Sequence, residues 1–206
     1  MKSSLPSFWP TAVAELSARD RVIAELAATN RGIDARPHGD AFSTLARAIV
    51  GQQISVAAAQ TIWQRSVAAI GTASPRNVLG CDAETLRACG LSARKVEYLR
   101  DLSRWFIEND EGVELERLAD ADLIAKLCQI KGIGRWTAEM FMIFYLHRPD
   151  VLPLDDLGLV RGVSRCYRDG APLTRREVAD LTAHWAPWRS VGTWYMWRAL
   201  SPMPIS

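Results

Sequence analysis

The sequence predicts an all-α protein, and three observations carry that expectation. Apolar residues recur at helical spacing through almost the whole chain, runs that alternate apolar and polar as a half-buried strand would are nearly absent, and helix-start and helix-stop residues punctuate the periodic segments. At 206 residues and 49% hydrophobic content the chain can bury one sizeable core or two small helical lobes, so disorder is not the expectation.

The elements follow in order. An opening helical segment runs from about Thr11 to Asn30, and Gly32 to Asp40 then reads as a loop through Pro37 and Gly39. A helix follows from Ser43. Asp82 is placed to cap the N-terminus of a short helix that Gly90 closes, and Ser92 starts the next one. Asp120 to Gln129 is amphipathic through Leu123, Ile124 and Leu127; then come Ile130-Lys131-Gly132-Ile133-Gly134 and a second apolar helix from Arg135 to about His147. Helix, glycine hairpin, helix is the expected arrangement over about 120–147. Thr174-Arg175-Arg176-Glu177 has capping-box spacing, which predicts a helix through His184. Pro187 separates it from a last helix over Trp188 to Leu200.

Lysine plus arginine number 25 against 23 acids, a formal charge of +2, so no global polycation exists and any nucleic-acid footprint must be local. Seven acids (Glu108, Asp110, Glu111, Glu114, Glu116, Asp120 and Asp122) stand against Arg117 alone, which marks a solvated surface turned away from any polyanion. The cysteines at 81, 89, 128 and 166 lack the close spacing of metal or disulfide frameworks and read as reduced, mostly buried thiols. No leader-like or membrane-length apolar run occurs, which points to the cytoplasm or nucleoid.

At the hairpin, two glycines separated by one apolar residue allow a sharp bend that turns successive N–H groups outward at a helix N-terminus, a place where a phosphate is favoured. Lys131 and Arg135 flank the turn and add positive charge. Asp155 and Asp156 on their own read as helix caps. Adjacent residues do not share a helix face, so they are not expected to act as a pair.

Leu127 to Ala138 resembles the helix-hairpin-helix of base-excision DNA glycosylases. Members of that superfamily carry a catalytic aspartate about twenty residues beyond the hairpin, and Val151-Leu152-Pro153-Leu154-Asp155-Asp156-Leu157-Gly158-Leu159 supplies one at Asp156. Phe42 to Ser55, with Gly51-Gln52-Gln53-Ile54-Ser55, is similar to the segment that enters the DNA gap in the alkylpurine branch. Pro187-Trp188-Arg189-Ser190 and Trp197 match the end of that branch. The resemblance covers Phe42 to Trp197 and is nearest to the bacterial 3-methyladenine DNA glycosylase II type, without the β-rich domain that opens its best-known members.

The resemblance implies a single catalytic core over 1–206 with two helical lobes, an active-site cleft between them, and double-stranded DNA containing alkylated bases as the partner of a monomeric enzyme. Asp156 would stabilise positive charge developing on the sugar. Trp136, Met140, Trp197 and Gly158 would line the substrate pocket, where aromatic faces suit cationic alkylpurines. Gln53 would be the wedge filling the vacated base stack, and Lys131, Gly132, Ile133, Gly134 and Arg135 would hold phosphate. Trp63 and Trp105 read as packing. Trp136 stands where strand-nicking relatives carry a Schiff-base lysine, which implies plain base release. No cofactor is required, and only Cys166 follows Asp156, so no iron–sulfur cluster is expected. A structural Na⁺ or K⁺ could sit on the main-chain carbonyls of Cys128, Ile130 and Ile133. Two other readings stay open: a non-catalytic hairpin module that only binds DNA, and a glycosylase for another damaged base.

Overall fold

The structure, a computed structural model, describes residues 6–30, 39–109 and 114–200. Among them the chain is helical throughout, with twelve α-helices, two 3-10 turns and no strand. It divides into two compact units, one made of Met1–Arg36 with Met142–Ser206 and the other of Pro37–Phe141. Among the described residues no helix is long and apolar enough to cross a membrane.

The first unit begins with α1 (Trp9–Arg19) and α2 (Arg21–Thr29). The sequence predicts one continuous helical segment here, and Asp20 is the reason there are two. Its backbone is extended at φ −140° and ψ 108°, and its carboxylate caps α2 by accepting from the Ile23 N–H. The same carboxylate accepts from the Tyr167 hydroxyl (2.6 Å) and the Trp185 indole N–H (2.9 Å), and lies 2.7 Å from His184 Nε2. It is buried. Burial alone would raise its pKa, but the bonds from Tyr167, Trp185, His184 and the Ile23 backbone outweigh it and hold the carboxyl below the usual aspartate range. Burial, aided by the carboxylate, pushes the Tyr167 phenol up.

The rest of this unit is α10 (Leu157–Tyr167), α11 (Arg175–Leu181) and α12 (Arg189–Leu200). The capping box forms as predicted, with Thr174 and Glu177 bonded reciprocally. The helix it starts is shorter than expected, because a 3-10 turn over Ala183–Trp185 tightens its end. α12 is enclosed at seven consecutive positions, Ser190 to Met196. Its neighbours come very close: a Cβ on Gly162 of α10 would lie 2.6 Å from Met196 Cβ and 2.7 Å from its carbonyl oxygen. Leu16, Ile23, Leu159, Val163, Val178, Trp185 and Val191 complete the core.

The second unit holds α3 (Ala41–Gly51), α4 (Val56–Ile70), α5 (Pro75–Gly80), α6 (Ala83–Ala88), α7 (Ala93–Glu108), α8 (Asp120–Leu127) and the start of α9 (Arg135–Phe144). Its caps are those of the sequence. Asp82 accepts from the Glu84 and Thr85 N–H groups, Gly90 ends the turn at φ +106°, and Ser92 starts α7. α3 begins two residues earlier than expected because Asp40 caps it. Most of the predicted loop before Asp40 lies outside the described residues, as do Asp110 and Glu111 of the acidic run. Burial of Phe42, Leu45, Ile49, Leu99, Leu102, Phe106, Leu123 and Leu127 makes the core.

One packing expectation is corrected. The four cysteines are free thiols, but only Cys89 is buried, since Cys128 is exposed and Cys81 and Cys166 are intermediate. Trp63 and Trp105 are half-buried, Trp105 edge-on to the core ring Phe106, and each also has a cation over its face, Arg47 at 5.6 Å and Lys126 at 5.8 Å.

Asp20 gives a prediction for stability. Replacing it by Asn leaves three side-chain donors without a charged acceptor, which should lower unfolding free energy at neutral pH by ~3–5 kcal/mol. Because the folded pKa is depressed, this stabilisation is complete above the unfolded value of about 3.9 and is lost as pH falls through the lower folded value. Urea unfolding of wild type and Asp20→Asn should therefore differ at pH 7 and converge in acid.

Candidate active site

In the first unit a short non-helical segment with two turns, 149–156, leads into α10. Two side chains of α12 fix that segment. Arg189 grips the Asp150 carboxylate with two bonds, Nε to Oδ1 at 2.7 Å and Nη2 to Oδ2 at 2.8 Å, and these bonds hold Asp150 below the usual carboxylate range. The Ser190 hydroxyl donates to the Arg148 carbonyl (2.6 Å) and accepts from the Val151 N–H (2.9 Å). Pro153 then makes a tight turn in which its carbonyl accepts from the Asp156 N–H (2.9 Å).

Asp156 is the N-cap of α10. Its Oδ1 accepts from the Leu159 N–H at 2.6 Å and from the Trp197 indole N–H at 2.7 Å. The Trp197 ring is in turn stacked on Phe144, with centroids 5.5 Å apart and planes 18° from parallel. Gly158 makes the contact possible: a Cβ there would stand 2.9 Å from Asp156 Oδ1 and 2.9 Å from Trp197 Cδ1. One oxygen of the carboxylate is thus held by two donors that reach it from α10 and α12. Asp155 points elsewhere and pairs with Arg175 at 2.7 Å, both side chains being well exposed. The structure brings Asp156, Gly158 and Trp197 together and separates them from Asp155. It also gives Trp197, read from the sequence as a pocket wall, the further task of orienting the carboxylate.

In the second unit the hairpin joins α8 to α9. Gly132 sits at φ +85°, and a Cβ on it would run into the Tyr98 ring of α7, 2.8 Å from its Cε2. Gly134 has no positive φ, and a Cβ there would meet nothing within 4 Å. Only one of the two glycines is therefore required by the bend. The N–H groups do not all face outward either. That of Lys131 donates to Asp101 Oδ2 (2.9 Å) and that of Ile133 to the Ile130 carbonyl (3.0 Å), because the turn is anchored to α7 and to itself. The N–H groups of Gly132 and Gly134 make no bond within the described chain.

The flanking cations differ in commitment. Lys131 Nζ pairs with Glu97 at 3.0 Å in the open, and Glu97 raises its pKa, with a further contribution from Asp101. An exposed pair of this kind contributes little and exchanges easily. Arg135 pairs at 2.9 Å with Glu139, whose side chain is only 3% exposed, so Arg135 also neutralises a buried carboxylate. Trp136 and Met140 lie four residues apart on one face of α9, Trp136 at 42% exposure and Met140 half-buried.

Gln53 follows α3 in a left-handed conformation at φ 59° and is exposed. Its neighbour Gln52 turns the other way and donates through Nε2 to the Gly132 carbonyl at 2.7 Å. Sequence reasoning assigned no part to Gln52, Lys95, Tyr98, Asp101, Asp150 or Ser190. Pro187-Trp188-Arg189-Ser190 was visible as a motif, and its role as the brace of 149–156 was not.

Residues 46–187 match the family described as HhH-GPD superfamily base excision DNA repair protein. The chain belongs to the HhH-GPD superfamily. Among its relatives is DNA-3-methyladenine glycosylase 1 of Schizosaccharomyces pombe, 38% identical over 162 residues, which are 76% of this chain and 71% of that protein. The DNA-3-methyladenine glycosylase of Saccharomyces cerevisiae is 37% identical over 152 residues, 68% of this chain and 51% of that longer protein. The solved S. pombe 3-methyladenine DNA glycosylase in complex with abasic DNA superposes with a TM-score of 0.81 at 34% identity, covering 91% of this chain and 95% of that one. A DNA-3-methyladenine glycosidase from Bacillus halodurans gives 0.81 at 32% identity, covering 98% and 92%. The HhH-GPD match runs from the middle of α3 to the approach to α12, including the hairpin and Asp156.

The two hairpin glycines should separate in a stability measurement. Gly132→Ala combines a left-handed backbone with a clash on Tyr98 and should cost ~2–4 kcal/mol. Gly134→Ala has open space and ordinary φ and should stay within about 1 kcal/mol of wild type. Denaturant unfolding of both variants measures the difference.

Proposed function

We propose that this chain is a monofunctional DNA glycosylase that turns alkylated purines of the 3-methyladenine and 7-methylguanine class out of duplex DNA and hydrolyses their N-glycosidic bond. The observation that carries the reading is the Asp156 carboxylate, fixed through one oxygen by Leu159 and Trp197 in a chain whose relatives bear the names of such enzymes. The protein acts as a single catalytic core and a monomer, inside the cell.

Breaking the bond leaves positive charge on the deoxyribose, and Asp156 stabilises it. Two N–H donors draw charge from the carboxylate and fix its direction, which suits an electrostatic partner better than a covalent nucleophile. Water adds to C1′ as the C1′–N bond breaks. The electron pair leaves on the base, which departs neutral because it was cationic, and the proton shed by water passes to solvent. A base that leaves so readily needs no strong general acid. Trp197 and Gly158 beside Asp156 and, on α9, Trp136 and Met140 are the residues we assign to base recognition, and aromatic faces favour a cationic purine by ~0.5–2 kcal/mol per contact.

DNA is held through its backbone by the hairpin. The N–H groups of Gly132 and Gly134, the Lys131 ammonium and, secondarily, Arg135 supply the phosphate contacts, with Ile133 between them buried as the anchor. Open space over Gly134 supports this, since nothing inside the protein demands a glycine there. The cation reading also fits. Carbonyls of Cys128 and Ile133 accept no bond within the described chain, and that of Ile130 accepts one, from Ile133, leaving a lone pair. These three would hold Na⁺ or K⁺, adding positive charge behind the phosphate. Gln53, exposed at the end of α3, is the wedge.

Plain hydrolysis is supported by the lysines. Of four in the sequence, Lys95 donates to two backbone carbonyls, Lys126 pairs with Glu114 and Lys131 with Glu97. Lys2 lies outside the described residues.

Asp156→Asn keeps the cap and the shape, since asparagine also caps helices, but removes the charge. DNA affinity should persist while single-turnover release of 3-methyladenine falls roughly 10²–10³-fold, and Asp155→Asn should change little. Borohydride should trap no enzyme–DNA adduct; an adduct, or equal rates for Asp156→Asn and wild type, would refute the mechanism.

Trp197→Phe tests the orienting bond separately. It preserves stacking on Phe144 and deletes the indole N–H, which should slow excision by about ten-fold, equivalent to ~1.4 kcal/mol. Chromatography of released bases at saturating enzyme measures it.

A further inference from the structure

Gln53 holds a left-handed backbone conformation that a non-glycine residue rarely adopts and that persists only where surrounding contacts dictate it. Those contacts come from one stripe of α7. Lys95 Nζ donates to the carbonyls of Val50 (2.7 Å) and Gln52 (2.8 Å), two of the groups that the end of α3 leaves without helical partners. A cation at that end is also favoured by the helix dipole, and burial lowers the Lys95 pKa. Three residues on, Tyr98 lies under Gly132, and three further on Asp101 takes the Lys131 N–H. The hairpin and the loop after α3 are therefore registered on the same helix face, and the Gln52 side chain ties them directly through the Gly132 carbonyl, 80 residues away in sequence.

On the far side of Gln53, Ser55 caps α4 through its hydroxyl. Only Gln53 and Ile54 remain between pinned points, and both are exposed, Ile54 at 38%. The result is a two-residue tip on a fixed base.

We propose that Gln52 and Lys95 are positioning residues that hold the Gln53 wedge at a set place relative to the phosphate-gripping hairpin, so that both engage DNA as one rigid piece. This rests on the reading of Gln53 as the wedge. Neither residue touches the reacting atoms. Their effect passes through Gln53, and so should vanish when Gln53 is already gone.

The test uses a duplex carrying an abasic-site analogue with 2-aminopurine beside it, whose fluorescence reports opening of the stack, together with single-turnover excision of 3-methyladenine and affinity for undamaged duplex. Gln53→Ala should lose most of the fluorescence change. Gln52→Leu and Lys95→Met should each lose a large part of it and slow excision roughly five- to ten-fold, with affinity for undamaged duplex within about two-fold of wild type. Adding Gln52→Leu or Lys95→Met to Gln53→Ala should cause no further loss. If Gln53→Ala impairs opening while Gln52→Leu and Lys95→Met behave as wild type, or if their effects multiply with that of Gln53→Ala, the positioning role is wrong and the wedge stands. If Gln53→Ala itself opens the stack normally, the wedge reading falls and the positioning role with it. Gln52→Leu removes one partly exposed side-chain bond, so it decides the matter should Lys95→Met fail to fold.

Discussion

Two N–H donors from different helices meet on one oxygen of Asp156, and much of the first unit is arranged around that meeting. The Leu159 bond starts α10, while the Trp197 bond fixes where α10 lies against α12. For both to reach the same atom the helices must approach closely, and the chain permits it with Gly158 beside the carboxylate and Gly162 against the Met196 backbone. Arg189 and Ser190 then tie the preceding segment to the same helix through Asp150, Arg148 and Val151. The carboxylate is thus positioned from before and after in sequence, and from α12.

The second unit solves a different problem with α7. A phosphate grip needs backbone N–H groups turned outward, yet a glycine turn alone is too compliant to hold them. Tyr98 under Gly132 and Asp101 on the Lys131 N–H remove that freedom. Side chains do this work, which leaves the N–H groups of Gly132 and Gly134 without a bond within the described chain and open to the phosphate proposed for them.

Features decided by neighbours in sequence are legible in the sequence itself. Asp82, Ser92 and Thr174 cap helices within three residues of themselves, and their spacing announces it. The all-α fold, the hairpin and the catalytic candidate Asp156 were legible for a related reason, being short motifs in a fixed order. What stayed hidden was non-local. Asp20 breaks a periodic helical run because its acceptor capacity is claimed by Tyr167, His184 and Trp185, more than 140 residues away. Lys95 looks like any surface lysine of a helix until α3 ends beneath it. Gly132 and Gly134 read as equivalent, and only the Tyr98 ring tells them apart. Trp197 read as an aromatic wall, since nothing local shows where its N–H points.

The enclosure of α12 has a bearing on how such proteins diversify. Seven successive positions without a solvent-facing side leave almost no substitution there that would not disturb packing, and the braces of Asp156 are drawn from the same helix and its approach. Trp136 and Met140 on α9 are less enclosed, being exposed and half-buried. If α9 recognises the base and Asp156 does the chemistry, as proposed, the set of bases accepted can drift through α9 over evolutionary time while the bond-breaking step is inherited unchanged, so divergent members should differ in diet long before they differ in reaction.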